Sequence, residues 1–287
     1  MKKLTGMGAV ACMLAATGAH AVTNIDGQNG GGLVPWALLS SGPTVAITHI
    51  GTQNLDINSL AVNTSFANRV EVSYAHNMLN DNAAILNTGA LAGSNTDNVD
   101  NFGIKVKLNE MGDTMPQFAL GAVYKHATGN LADTLNTALG VNTSSTDMYG
   151  VASKIVNMGG TNVLLNGVLR ATKGNALGLL GFGGGSSTIS PGASTSYKIE
   201  PELSAEVFAA SNVVFGAEYR RQPNYAVAGT AQSTYLNQNS MYDFHVAYIA
   251  SKNFTLTAAY VNLGTIAQVA NGQTRQNGMF LQGQVSF

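Results

Sequence analysis

Hydrophobicity in this chain alternates with period two in one segment after another, and that rhythm limits the fold more than any other feature. Residues i and i+2 of an extended chain share a face, so such a segment makes a strand with two unlike sides. Twelve segments show the pattern: 45–51, 55–64, 69–78, 101–109, 117–126, 147–156, 163–172, 197–208, 213–221, 241–249, 254–263 and 278–287. From the second strand onward their connections alternate in length. Short links fall at 65–68, 110–116, 157–162, 209–212 and 250–253, and longer ones at 79–100, 127–146, 173–196, 222–240 and 264–277. Short turns at one end and long loops at the other are the signature of an antiparallel up-and-down barrel spanning a membrane. The expected fold class is therefore all-β, a transmembrane antiparallel barrel of about twelve strands over residues 44–287. The tight first hairpin, at 52–54, breaks the rule by falling on the long-loop side. Asn68, Asn162, Asn212 and Asn253 each stand just before a strand resumes, which suggests hairpins ending on a left-handed residue.

Composition agrees with this class and excludes others. Only 10% of residues are charged, against about a quarter in a soluble domain. The formal net charge of −1 leaves no basic face for nucleic acid. After residue 21 no apolar run approaches the ~18 residues of a membrane helix.

The first 21 residues read as an export signal: Lys2 and Lys3, an apolar run from Leu4 to Gly18, then Ala19-His20-Ala21 as a small-x-small site, with cleavage expected after Ala21. The chain's single cysteine, Cys12, leaves with it. Ala9-Val10-Ala11 before Cys12 is a poor lipobox, which argues against a lipid anchor. Without disulfides, the remaining chain must be held by packing and pairing alone. Residues 22–43 form a separate segment with a Gly/Asn-rich start followed by Leu33-Val34-Pro35-Trp36-Ala37-Leu38-Leu39, read either as a plug of the barrel or as a disordered lead-in.

Parity separates the two faces of each strand. Tyr197, Ile199, Leu203 and Val207 alternate with Lys198, Glu200, Glu202 and Glu206. Phe215 and Tyr219 alternate with Glu218 and Arg220, and Tyr242 and Phe244 with Asp243 and His245. Tyr74, Tyr124, Tyr149, Tyr219, Tyr248 and Tyr260 recur near strand ends, as an interfacial aromatic girdle would require. The apolar parity is then the lipid face, and the polar one the lumen wall. Lumen candidates are Arg69, Glu71, Lys105, Lys107, Lys154, Arg170, Lys198, Glu200, Glu202, Glu206, Glu218, Arg220 and Asp243. The hairpin 197–221 carries more of these acids than bases, an excess that favours cations unless bases on other strands meet it. With Ala210-Ser211-Asn212 as its loop, avoidance of opposed like charges favours the register that sets Glu202 against Arg220 and Ser204 against Glu218.

Two motifs carry a resemblance. The last strand, Met279-Phe280-Leu281-Gln282-Gly283-Gln284-Val285-Ser286-Phe287, resembles the terminal strand of the bacterial outer-membrane barrel superfamily. That resemblance implies that Phe287 is the signal read by the barrel-assembly machinery, and that outer-membrane lipids surround the protein. Gly30-Gly31-Gly32-Leu33-Val34-Pro35-Trp36-Ala37 resembles the start of a proteobacterial family of unknown function, which implies a barrel and an outer-membrane location but no activity.

Catalytic patterns are missing. No histidine precedes Ser-Asn-Gly as in barrel phospholipases, and no His-Asp pair exists as in omptin-like proteases. His49, His76, His126 and His245 lie on different strands without metal-ligand spacing. Asp97-Asn98-Val99-Asp100-Asn101 offers oxygens at irregular spacing in what reads as a solvated loop, and Gly181 to Ser187 reads as a flexible external loop. No enzyme, metal or cofactor is expected. A twelve-stranded lumen lies between the filled eight-stranded and open sixteen-stranded cases. The expected role is a porin-like channel for small polar solutes, the alternative being a structural or adhesin-like barrel with partner-binding external loops.

Overall fold

The computed structural model describes residues 22–81, 96–230, 233, 235–266 and 275–287. The export-signal reading, with Cys12, lies outside them. A two-stranded ribbon, β1 (Val22–Thr23) and β2 (Asn29–Gly30), comes first. Twelve long strands follow: β3 (Thr44–Thr52), β4 (Leu55–Phe66), β5 (Val70–Asp81), β6 (Thr96–Lys107), β7 (Gln117–Thr128), β8 (Ser144–Met158), β9 (Thr161–Thr172), β10 (Lys198–Ala210), β11 (Val213–Arg220), β12 (Met241–Ser251), β13 (Phe254–Asn262) and β14 (Asn277–Ser286). Each pairs antiparallel with its sequence neighbour, and β14 closes on β3, so that no edge strand remains. Closure satisfies every strand's backbone groups within the sheet, which is what allows strands to sit in hydrocarbon.

The alternation places apolar side chains outside. Ile47, Leu169, Ile199, Leu203 and Phe244 are more than half exposed on the outer surface, a belt far beyond what a water-soluble monomer shows. The expected register on β10 and β11 is the one found, Glu202 opposite Arg220 and Ser204 opposite Glu218. Tyr124, Tyr219, Tyr248 and Tyr260 stand on the outer face. Tyr149 does not: it points inward, 4% exposed, and donates to Gln28 Oε1 at 2.8 Å.

Turn chemistry corrects the expectation about asparagine. Of the four residues named, only Asn68 has positive φ (49°), preceded by Ala67 (50°). The link between β8 and β9 instead turns on Gly159 and Gly160, which take that conformation at no steric cost.

Among the described residues, parts of the long links are buried. Residues Asn130–Leu139 form a helix, α1, whose Leu131, Ala132, Leu135 and Leu139 are buried. These recur at i, i+1, i+4 and i+8, one helical face. In the stretch expected as a flexible external loop, Gly181 to Gly185 are buried, and Phe182 bridges both Asn142 and Gly174, while Ser187 is exposed. Asp97 to Asn101 is part of strand β6, with Asp97 facing in and Asp100 facing out, so the two carboxylates cannot share an ion. Leu131, Leu135 and Phe182 join Tyr225 and Leu236 in one buried cluster. Among the described residues no helix is long and apolar enough to cross a membrane.

Candidate functional site

The segment Val22 to Ser40 lies inside the barrel, and each of its residues is buried. Its two ends sit towards the short turns, where Val22 packs on Val214 and Ala247, and Trp36 and Leu38 on Leu164. Between them the chain doubles back through the β1–β2 ribbon, Val22 pairing with Gly30. Gly30 is required there, since a Cβ would overlap the Val34 carbonyl oxygen, and a Cβ on Gly31 would push the Glu218 carboxylate aside.

A segment without long regular structure must find partners for its backbone polar groups when it is buried, and the lumen wall supplies them. Glu71 accepts from Asn29 N–H at 3.0 Å through Oε1 and from Ser40 N–H at 2.9 Å through Oε2. Lys105 donates to the Asn29 carbonyl and pairs with Glu71, both at 3.0 Å. Glu218 accepts from Leu33 N–H (2.6 Å) and Val34 N–H (3.2 Å). Ser153 accepts from Ala37 N–H, Gln117 donates to the Ala37 carbonyl and Asn166 to that of Pro35. Asn77 and Gln282 hold the carbonyls of Ile25 and Thr23.

Charge is balanced at one point. Asp26, wholly buried at the turn of the ribbon, meets Lys125 at 2.7 Å, Arg220 at 3.0 Å and Arg170 at 3.3 Å. Asp147 lies 3.2 Å from Lys125, and Glu202 lies 2.6 Å from Arg170 and 3.3 Å from Arg220. Three cations thus face three carboxylates, and only Asp26 belongs to the inserted segment. Burial by itself would raise its carboxyl, but Arg220, Lys125 and Arg170 together hold it well below the usual carboxylate range.

The structure places Glu71, Lys105, Lys107, Arg170, Glu200, Glu202, Glu206, Glu218, Arg220 and Asp243 on the inner side, all buried. Lys198 shares that parity, half-buried over the Tyr225 ring. Two lumen candidates are corrected. Arg69 lies in the turn 67–69, exposed, because the chain reverses at Ala67 and Asn68 before the strand begins at Val70. Lys154 sits on the outward parity of β8, next to inward Ser153, and reaches to the carbonyls of Gly112 and Asp113 in a short link. There a lysine covers apolar surface with its stem while its head stays wet.

Most acids of β10 and β11 do not line the lumen as free charges: Glu200 pairs with Arg221, Glu202 with two arginines and Glu206 with His245, while Glu218 meets the Leu33 and Val34 amides of the segment. Asp26, Lys125 and Asp147 were not legible as wall partners. Lys125 shares a parity with Ala119, Gly121 and Val123, which reads as apolar on either side.

A closed twelve-stranded antiparallel barrel, apolar outside and polar inside, is the architecture of outer-membrane β-barrel proteins. By structure the chain is similar to the NanC porin, with a TM-score of 0.53 and 13% identity over 86% of this chain and 99% of that one. It is also similar to the KdgM porin solved in complex with disordered oligogalacturonate (TM-score 0.49, 10% identity, 85% and 99% covered). LpxR from Salmonella typhimurium gives 0.47 and 10%, with 85% and 100% covered. At such identities the likeness is one of fold. By sequence, no curated protein matches. The family described as "Protein of unknown function (DUF3034)" matches residues 18–284, and the chain belongs to it.

Proposed function

We propose that this protein is a porin-like channel of the outer membrane for small polar solutes, closed by its own N-terminal segment. The observation that carries the reading is that Val22 to Ser40 fills the lumen and is held there by hydrogen bonds and ion pairs from wall side chains. A barrel that served only as a rigid anchor would gain more from apolar side chains meeting across its interior, since swapping a buried ion pair for well-packed apolar groups is often neutral or stabilising. A polar wall is the kind that water can refill once the segment leaves. In this reading the short turns face the periplasm, the mature chain begins at Val22, and the strands are inserted by the barrel-assembly machinery through the Phe287 terminus.

The test compares folded wild-type protein with a variant lacking 22–40 in planar bilayers and in liposomes swollen with small sugars or amino acids. The wild type should show rare openings whose conductance matches the steady level of the deletion variant. A folded deletion variant that neither conducts nor swells liposomes would overturn the channel reading in favour of a sealed structural barrel.

A further inference from the structure

Two neighbouring rows on the lumen wall bring ligand-bearing side chains together. Strand registers align Glu206, Gly216 and His245 in one row and Ser204, Glu218 and Asp243 in the next. Gly216 is the gap that lets its neighbours meet, for a Cβ there would overlap both the Glu206 carboxylate and the His245 ring. His245 Nε2 lies 2.9 Å from Glu206 Oε2, and Nδ1 lies 2.8 Å from Asp243 Oδ1. One ligand atom from each of Glu218, Asp243 and His245 falls within 4.8 Å of the other two. All four side chains are buried, Glu206 completely.

The cluster is short of positive charge. Elsewhere on the wall Glu71 has Lys105, while Asp147 and Glu202 have Lys125, Arg170 and Arg220. Here, among the described residues, the ion pairs of Glu206 and Asp243 are with His245 alone. One imidazolium cannot balance three carboxylates. Independently of that count, Glu206 Oε1 and Ser204 Oγ are buried without a hydrogen-bond partner among the described residues, and Asp243 Oδ2 meets no N–H or O–H donor there, its neighbour being the Glu218 carboxyl. Buried acceptors left unpaired, and carboxylates above all, are costly enough to call for a missing partner.

We infer that these rows form a divalent-metal site, with Glu218, Asp243 and His245 as ligands and Glu206 positioning the histidine. An imidazole nitrogen among carboxylate oxygens suits a borderline cation of the zinc type better than calcium or magnesium, which favour all-oxygen sites. One ring nitrogen would take the metal while the other donates to a carboxylate, the arrangement that fixes tautomer and orientation in metal-bound histidines. The dication would supply the missing charge and occupy free carboxylate lone pairs. Glu218 would keep its bonds to the Leu33 and Val34 amides, since each carboxylate oxygen has two lone pairs.

The protein refolded from urea into detergent with zinc(II) present, so that access is not limiting, should retain one ion per chain through gel filtration in metal-free buffer. Cobalt(II) in its place should give a visible d–d band. His245→Ala and Asp243→Asn should lower the affinity at least about tenfold and abolish that band, whereas His49→Ala, on the outer face, should change neither. Asp243→Asn, nearly isosteric, carries the test if His245→Ala fails to give heat-modifiable folded protein. Wild type that retains no ion, or either folded variant binding with wild-type stoichiometry and affinity, would overturn the site. This readout does not depend on conduction, so it stands or falls apart from the channel reading.

Discussion

Replacing Asp26 with asparagine removes one charge from a buried network and almost no volume. In the wild type Asp26, Asp147 and Glu202 face Lys125, Arg170 and Arg220, with contacts to Asp26 of 2.7, 3.3 and 3.0 Å respectively. In the variant, three cations would face two carboxylates, all at most 4% exposed. Breaking a buried pair by removing one partner costs about 3 to 5 kcal/mol, because the other charge stays desolvated. That penalty applies only while the segment is seated, since water can solvate the three cations once it withdraws. At 1.4 kcal/mol per tenfold, the ratio of withdrawn to seated segment should rise by about a hundred- to a few-thousand-fold. The only cysteine of the chain is Cys12, so protein beginning at Val22 is a clean background for a single probe. Ala37→Cys places a thiol at a fully buried position of the segment. Labelling by a membrane-impermeant maleimide should be slow in that background and accelerate by the same factor when Asp26→Asn is added. The exposed Asp113→Asn should leave the rate alone. If the rate with Asp26→Asn stays within about threefold of its background while the barrel remains folded, the idea that this network holds the segment is wrong.

Two further outcomes test the faces and the terminus. Leu203→Lys puts a charge on an outward position that is 57% exposed near the middle of β10, and should destabilise the barrel by about 2 to 4 kcal/mol in lipid, measured by urea titration of heat-modifiable protein. Equal stability would mean that the outer face of β10 does not meet hydrocarbon. Phe287→Asp should reduce the amount of heat-modifiable protein in outer-membrane fractions without slowing removal of the export signal, and unchanged assembly would remove Phe287 as the assembly signal.

How far the fold was legible follows from which positions see lipid. On β10 to β14 the outer parity is uniformly apolar, as a lipid-facing surface requires, and each strand declared itself within one or two residues of its observed bounds. The inner parity answers to whatever fills the lumen. On β7 to β9 that filling is partly Leu33, Val34 and Ala37, and the wall opposite is Val123, Val151 and Val168, so both parities read apolar and Lys125 was invisible among them. Arg69 and Lys154 misled for a different reason: near the short turns strand parity no longer decides whether a long cation reaches water. The helix α1 was hidden in a long link because nothing in the alternation of strands requires a link to fold.

The inserted segment and the wall must be read together, because neither is balanced alone. Without Asp26 the wall's central network holds Lys125, Arg170 and Arg220 against Asp147 and Glu202, one cation in excess. Without the wall the segment holds a carboxylate and a series of amides and carbonyls with few partners of their own. Glu71 and Glu218 answer the amides on opposite stretches, Asn29 and Ser40 for one, Leu33 and Val34 for the other. Hydrogen bonds from charged groups are worth more than neutral ones, and here they end on backbone, which substitution along the segment cannot remove. Side-chain identity in the segment then matters at Asp26 for charge, and at Gly27 and Gly30 for clearance against the backbone of Tyr74 and Val34. Conduction would ask the same of the wall, since groups that hold a peptide backbone can equally hold water when it leaves. On the proposed channel reading, the polar inner face would serve the seated and the withdrawn state alike, and the charge balance around Asp26 would decide between them.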